Sequence, residues 1–342
     1  MSTLSRPAVS VLLPCYNASR TLPRALESLL NQTRADFEVV CVDDGSQDRT
    51  LEIIKRFAGR DQRVRALPMS HGGIVAALNL GLAHCRAPLV ARMDADDLAL
   101  PRRLELQVAA LDERPELDLV GCRVGFGGSR SSNRGYALHV DWTNSLTSHV
   151  EICLHRFVEC PFPHPSIMFR RRSAERFGGY RDGPFPEDYE LVLRWLDRGA
   201  ATFKVNAELL VWNDPPDRLS RTDPRYDVQA FYRTKAMYLA RWLKRHNPLH
   251  PEIHCIGAGR TARKRAALLE ELGIAVTAYV DIDPNKVGRL VQGRPVLHRT
   301  DLPPPGDVFC VSYVGSRGAR DEIGRFLMQR GYVLGRDFLF AA

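Results

Sequence analysis

Three carboxylates within four residues, Asp94, Asp96 and Asp97, close an apolar run that begins Leu89-Val90-Ala91. A short apolar run of this kind reads as a buried strand. An unpaired charge at the end of a buried strand is costly, so the carboxylates imply something positive beside them. Asp94 and Asp96 are two residues apart and, in extended chain, point to one side. Two hard oxygen donors converging in this way suit Mg²⁺ or Mn²⁺. Asp97 then points to the other side, where it would cap or orient the turn into a helix opening at Pro101. A second acidic turn, Asp43-Asp44-Gly45-Ser46, closes another apolar run, Phe37–Val42.

The elements that must carry these turns follow from the pattern around them. Strand-like runs at Val9–Pro14, Phe37–Val42, Val64–Pro68 and Leu89–Met93 alternate with helical spacing at Leu22–Leu30, Thr50–Ala58 and the stretch after Gly72-Gly73, about every 25 residues. Such alternation implies a parallel sheet covered by helices, an α/β fold. In these sheets ligands bind beyond the carboxyl ends of the strands, so the two acidic turns share one crevice. After 117–122 the alternation breaks. Gly125–Asn133 reads as a mobile loop, 161–169 as a proline-rich segment entering a strand, and 201–212 as two short strands. Pro186-Glu187-Asp188-Tyr189-Glu190 opens an amphipathic helix through Trp195 and Leu196.

Length and composition set the wider frame. With 342 residues and 44% hydrophobic content the chain is expected to build two domains, or one large domain plus an appendage, with proper cores. No apolar run approaches the roughly 18 residues of a membrane span, and the start of the chain lacks the pattern of a signal peptide. Eight cysteines are scattered without a Cys-x-x-Cys pair, the usage of reduced thiols in a cytoplasmic protein. The net charge is +8, and from Asp217 to Glu270 twelve Lys/Arg face five Asp/Glu. Such a basic stretch is either a solvated helix face or a patch for phosphates or nucleic acid. The spacing His246, His250, His254 would suit a metal on a helix, but Pro248 and Pro251 break that helix, so no metal is expected there.

The domain boundaries follow: 1–213 a catalytic domain, 214–250 a basic helical linker, and 251–342 a smaller α/β domain. In the last of these a strand at 252–256 runs into Gly257-Ala258-Gly259-Arg260-Thr261-Ala262, and Asp281 follows 24 positions after Gly257. That is a G-x-G-x-x-A turn in strand–turn–helix context, a candidate phosphate turn at Gly257 and Gly259. It opens an alternative reading, an NAD(P)-dependent oxidoreductase. Against it, about 90 residues are few for the two mononucleotide halves of a full dinucleotide fold. A third reading, a nucleic-acid-binding module with an inactive transferase half, conflicts with the intact carboxylates at 44, 94, 96 and 188.

Four motifs in order, Val-Ser-Val-Leu-Leu-Pro-Cys-Tyr-Asn at 9–17, Val-Asp-Asp-Gly-Ser at 42–46, Ala-Arg-Met-Asp-Ala-Asp-Asp at 91–97 and Pro-Glu-Asp-Tyr-Glu at 186–190, resemble those of family 2 glycosyltransferases. The resemblance covers about residues 7–213. It implies a GT-A nucleotide-diphospho-sugar transferase fold and an inverting reaction. Pro14, Tyr16 and Asn17 would line the nucleotide pocket. Asp43 or Asp44 would accept a hydrogen bond from the base, most often uracil. Asp94 would hold the ribose side and, with Asp96, a Mn²⁺ or Mg²⁺ ion. Asp188 would be the catalytic base, with Glu187 supporting it, and His164 would face the sugar. The end of the chain is similar to the small Rossmann-like domains appended to sugar-modifying enzymes. The layout is also loosely similar to an animal subgroup linked to galactosylating queuosine in tRNA. The implied partners are a nucleotide-sugar donor and an acceptor that is a glycan, a small molecule or, through the basic stretch, tRNA.

Overall fold

The computed structural model describes residues 6–215, 218–316 and 318–342. They form two compact units. The first takes the chain up to Ile152, Pro161–Gly183 and Glu187–Thr222. The second takes Cys153–Cys160, Pro184–Pro186 and Asp223–Ala342. No helix among the described residues is long and apolar enough to cross a membrane.

In the first unit the expected alternation appears as β1 (Val9–Cys15), α1 (Leu22–Leu30), β2 (Phe37–Asp44), α2 (Thr50–Ala58), β3 (Val64–Met69), α3 (Ile74–His84) and β4 (Leu89–Arg92). The chain continues with β5 (Leu98–Ala99), α4 (Arg103–Glu113), β6 (Leu119–Phe126), α5 (Arg134–Ser145), α6 (His149–His155), β7 (Met168–Arg170), α7 (Arg171–Phe177), α8 (Glu187–Asp197), β8 (Thr202–Trp212) and α9 (Leu219–Thr222). The eight strands form one sheet in the order β3-β2-β1-β4-β7-β6-β8-β5. The pairs β3–β2, β2–β1 and β1–β4 are parallel, whereas β7 runs antiparallel to both β4 and β6. Every residue of β1, β2 and β4 is buried, which is why these strands read as continuous apolar runs. Helix α1 puts Leu22, Ala25, Leu26 and Leu29 into the same core, with a proline in its first turn where no N–H is needed.

Three expectations change. Strand β1 does not stop at Pro14 but runs to Cys15. The carbonyl of Leu12 accepts from Met93 N–H, so residue 12, and residue 14 with it, faces β4. Because β4 pairs with β1 only as far as Leu12, the N–H that proline lacks falls past the end of that ladder. Residues 202–212 are one strand rather than two. The apparent break at exposed Asn206 and Glu208 is an irregular register against β6 around Arg123. The loop expected over 125–133 is shortened at its start, where β6 reaches Phe126, and ends as expected where α5 begins at Arg134; Arg130 within it pairs with Asp141.

The second unit holds α10 (Val228–His246), β9 (Glu252–Ile256), α11 (Arg260–Glu270), β10 (Ala275–Asp281), β11 (Leu290–Val291), β12 (Arg294–His298), β13 (Cys310–Ser312), α12 (Ala319–Gln329) and β14 (Phe338–Phe340). Its sheet order is β11-β12-β10-β9-β13-β14, parallel except for the β11–β12 pair. The basic helix α10 belongs to this unit. Asp227 caps its start by accepting from Ala230 N–H, and Leu239, Trp242 and Leu243 are on its buried face. His246 stacks on Trp242, and His254 lies in β9 against Thr277, so these histidines do not form a metal set.

Candidate active site

Adjacent strands β2, β1 and β4 bring the two acidic turns together. Cys15 at the end of β1 pairs in register with Asp43, and both Asp43 and Asp94 lie close enough to push the Cys15 thiol pKa up, after burial, the main cause. The two acidic turns therefore lie close together at the carboxyl ends of these strands, the place where such sheets bind ligands.

The acidic pair 43/44 divides its work. Asp44 is buried, and its two oxygens accept from the backbone N–H groups of Gly72 (2.7 Å) and Gly73 (2.9 Å). His71 Nδ1 lies 3.0 Å from the same carboxylate. Asp44 thus anchors the loop before α3. Asp43 is equally buried, and its Oδ1 meets no hydrogen-bond partner. A bare buried carboxylate oxygen needs a donor, and of the two acids it is Asp43 that keeps an acceptor unused within the fold. Gly45 is required between them and the loop. Its φ is +68°, and a Cβ there would stand 2.6 Å from His71 N.

Tyr16 is 46% exposed and stacks on His71 with ring centroids 4.4 Å apart. It offers an open aromatic face at the crevice. Asn17 behaves differently from expectation. Its side-chain oxygen accepts from Gln47 N–H and its own N–H donates to Ser46 Oγ, both at 2.9 Å. With a left-handed φ of 48°, a conformation asparagine tolerates, it ties the loop after β1 to the loop after β2. Pro14 is buried inside β1 and shapes the strand end without presenting a wall.

Asp94, Asp96 and Asp97 each place a carboxylate oxygen within 4.8 Å of the others, and among the described residues no other group of three or more metal-ligand side chains converges. Here the extended-chain argument fails for Asp97. Its N–H bonds back to Asp94 O, so the chain turns at once and all three side chains gather. Asp97 does not cap α4, whose N-cap is Arg102 without a side-chain bond. Its Oδ1 accepts from Asn213 N–H (2.8 Å) at the end of β8, and its Oδ2 is buried without a partner. Burial, then the negative charge of Asp94, lifts the Asp96 pKa to about 6. The same two causes, with Asp96 added, push Asp97 well above the usual carboxylate range. Three ionised groups in this space repel one another. Hard oxygen donors, mutual repulsion and an orphaned oxygen fit a divalent cation.

Arg92, the residue two before Asp94, is buried and ion-paired with it. Burial opposes its charge, but Asp94 overrides that and raises its pKa. The same guanidinium faces His164. That imidazole is buried, and burial and then Arg92 hold its pKa well below the ordinary value, so it is neutral. His164 Nε2 and Tyr180 Oη share a hydrogen bond of 2.9 Å, which commits the ring inward and not to an open sugar pocket. Tyr180 is also buried. After burial, the groups that act on its hydroxyl are Arg92, Glu187, Asp188 and Asp94. It therefore stands between the acidic triad and the start of α8.

Helix α8 is held by Arg194, which bonds Glu190 (2.9 Å) and the carbonyls of Gly178 and Gly179. Of Glu187–Leu196, Asp188 alone is not buried. It sits in the first helical turn and accepts from Tyr189 N–H (2.7 Å), at the end where the helix dipole favours an anion. Glu187 beside it is buried. The sequence singled out neither Arg92, His71, Tyr180 nor Asn213. Only Arg92 left a signal: it shares the i, i+2 side with Asp94 and Asp96.

Gly257 and Gly259 lie in the second unit, in a separate cavity. Asp281 does not wait there for a ribose. Its Oδ2 accepts from Ala258 N–H and its Oδ1 from Ile282 and Asp283 N–H, while Lys286 Nζ lies 3.2 Å from Oδ2. The acidic residue expected to select a dinucleotide is saturated from within.

A mixed sheet with an acidic triad beyond its parallel half and a carboxylate-bearing helix beside it defines a nucleotide-sugar transferase site of the GT-A class. The comparisons agree. Residues 10–178 match the model of glycosyl transferase family 2. The putative glycosyltransferase EpsE of Bacillus subtilis is 31% identical over 235 residues, 66% of this chain and 79% of that protein. The chondroitin synthase of Escherichia coli is 41% identical over 206 residues, 58% of this chain and 28% of that longer protein. Among solved structures, Staphylococcus aureus TarS residues 1–349, in complex with UDP-GlcNAc, superposes with a TM-score of 0.53 at 18% identity, over 77% of this chain and 70% of that one. The chain belongs to glycosyltransferase family 2. It has the GT-A fold with a second, smaller α/β unit, and it is a glycosyltransferase.

Proposed function

We propose that this enzyme transfers a sugar from a UDP-sugar to an acceptor hydroxyl with inversion, using a divalent cation and Asp188 as the base. The observation that carries this reading is the convergence of Asp94, Asp96 and Asp97 beside the bare oxygen of Asp43. Asp43 Oδ1 would accept the imide N–H of uracil, and the Tyr16–His71 stack would extend the aromatic surface next to it. Asp96 and Asp94 would hold Mn²⁺ or Mg²⁺, with Asp97 close enough to join. When bound, that ion supplies a positive charge to the departing diphosphate without a proton donor.

The chain's own residues do the rest. An acceptor hydroxyl is a weak acid, so its proton must leave as the new bond forms. Asp188, the only carboxylate of its helix turn that is not buried, would take it. Glu187 would support that carboxylate from the buried side. Attack from the face opposite the leaving group inverts the anomeric carbon, and one base suffices for it. TarS was crystallised with UDP-GlcNAc, and several relatives carry names from polysaccharide synthesis, which supports a UDP-sugar donor and a glycan acceptor.

The test is a thermal melt of the full chain with nucleoside diphosphates and Mn²⁺, followed by a screen for slow hydrolysis of UDP-sugars. UDP should raise the melting temperature only when Mn²⁺ is present, and one UDP-sugar should be hydrolysed. Absence of any shift with every nucleoside diphosphate plus metal would overturn the reading.

A further inference from the structure

We propose that the second unit carries a ligand site of its own, a cavity for one compact phosphomonoester with a planar, apolar body, the size and chemistry of a nucleoside monophosphate. The cavity has a volume of about 370 Å³, within the range of small-molecule pockets. It opens at the carboxyl ends of β10, β9 and β13. The order of that sheet places β10 on one side of β9 and β13 on the other, so the chain reverses direction between β9 and β13. This switch point is where open α/β sheets leave a crevice. The crevice is lined by residues of the second unit alone.

The walls decide the ligand. Ile282, Leu302, Val314 and Phe326 supply apolar surface, and Ile282 is 58% exposed at the cavity, a large apolar side chain left without cover. Such surface suits a ring and not a sugar chain. The cations Lys286 and Arg299 line the same cavity, each in an ion pair, at 3.2 Å from Asp281 and 2.7 Å from Glu322. The floor is the turn at Gly257, where φ is +106° and a Cβ would stand 3.0 Å from Val314 and 3.1 Å from Ala262. A side chain there would close the cavity. Helix α11 leaves this floor with no side-chain cap and no acid in its first turn, while Arg260, Arg263 and Lys264 crowd its positive end. That charge pattern is unfavourable until an anion sits on it. A dinucleotide suits the site less well, because Asp281, the acid that would take its ribose, is saturated by backbone N–H groups and Lys286.

The experiment is equilibrium dialysis of the full chain against labelled AMP, with adenosine and inorganic phosphate as competitors. Thr261, exposed at the start of α11 and lining the cavity, is changed to Glu to repel a phosphate. Ile282→Glu removes the apolar wall at an exposed position. Asp43→Ala reports on the transferase site. We expect one equivalent of AMP to bind, with affinity falling at least about tenfold in Thr261→Glu and in Ile282→Glu, and unchanged in Asp43→Ala. Adenosine or phosphate alone should compete more weakly than AMP. The idea is overturned by no AMP binding at millimolar concentration, by loss of binding in Asp43→Ala with none in the other two, or by phosphate competing as well as AMP. An unchanged circular dichroism spectrum and an unchanged melting temperature without ligand show that each second-unit variant is folded.

Discussion

Replacing Asp96 by Asn should stabilise the protein and disarm it at once. Burial, then Asp94, lifts the Asp96 pKa from the ordinary 3.8 to about 6. A carboxyl whose pKa is higher in the folded state than in the unfolded one costs stability when it ionises. The cost is absent below about pH 4, grows between pH 4 and 6, and is complete above. At 1.36 kcal/mol per pKa unit the shift corresponds to about 3 kcal/mol. Asn at this site keeps the size and carries no charge, so Asp96→Asn should gain about 2–3 kcal/mol at pH 8. That is roughly 5–10 °C in melting temperature for a unit of this size. At pH 4 the wild-type carboxyl is protonated in the fold and the gain should vanish. The same substitution removes a ligand for the cation, so the melting shift given by UDP and Mn²⁺ should disappear. The assay is a fluorescence melt of both proteins at pH 4 and 8, with and without ligand. Equal stability at pH 8 would refute the electrostatic argument, as would a gain that persists at pH 4. A ligand shift that survives in the variant would remove Asp96 from the metal site.

Other substitutions separate neighbouring roles. Asp188→Asn should leave UDP–Mn²⁺ binding intact and cut turnover by roughly 10²–10⁴-fold, measured by single-turnover transfer, and full turnover would reject Asp188 as the base. Asp43→Ala should weaken UDP at least about tenfold with little loss of stability, because its free oxygen bonds nothing in the fold. Asp44→Ala should do the reverse, costing about 2–4 kcal/mol by chemical denaturation, since it strands the Gly72 and Gly73 N–H groups. If the two behave alike, the division between them is wrong. Arg92→Met should be worse than its loss of volume suggests, about 3–5 kcal/mol, because it leaves Asp94 without its buried partner, and Arg92→Lys should recover part of this.

Much of the first unit was legible because it is a local code. Continuous apolar runs mark strands buried on both faces, and β1, β2 and β4 are such strands. Asp94 and Asp96 were legible from period-two geometry. Asp97 was not, because period two holds only while the chain stays extended, and the bond from Asp97 N–H to Asp94 O ends the extension inside the motif. The choice between Asp43 and Asp44 was open for a different reason. Asp44 is taken up by Gly72 and Gly73, 28 and 29 residues on, which no local pattern connects to it. His164 turned inward through Tyr180, 16 residues away. The two strands expected over 201–212 are one, because the register against β6 shifts around Arg123 without ending the pairing.

Each acidic pair at the site holds two residues of one charge, and nearby like charges are unfavourable unless their surroundings differ. The fold makes them differ. Asp44 is consumed by the N–H groups of Gly72 and Gly73, and Asp43 keeps a free oxygen. Asp97 is bonded by Asn213 N–H, and Asp96 remains only partly covered. Glu187 is buried, and Asp188 alone of its turn is not. In the pairs at 43/44 and 96/97 one carboxylate is tied into the fold by backbone N–H groups, while its neighbour keeps a free oxygen, as Asp43 does, or stays partly exposed, as Asp96 does. For the pairs at 43/44 and 96/97 the backbone N–H groups that tie the first lie far along the chain. Rigid placement of a charged ligand group needs such support, because a carboxylate on a free loop would lose its position to solvent. If the proposed function holds, the doubled acids at 43/44 and 96/97 work as pairs of anchor and ligand, and removing the anchor should misplace the ligand group without touching its chemistry.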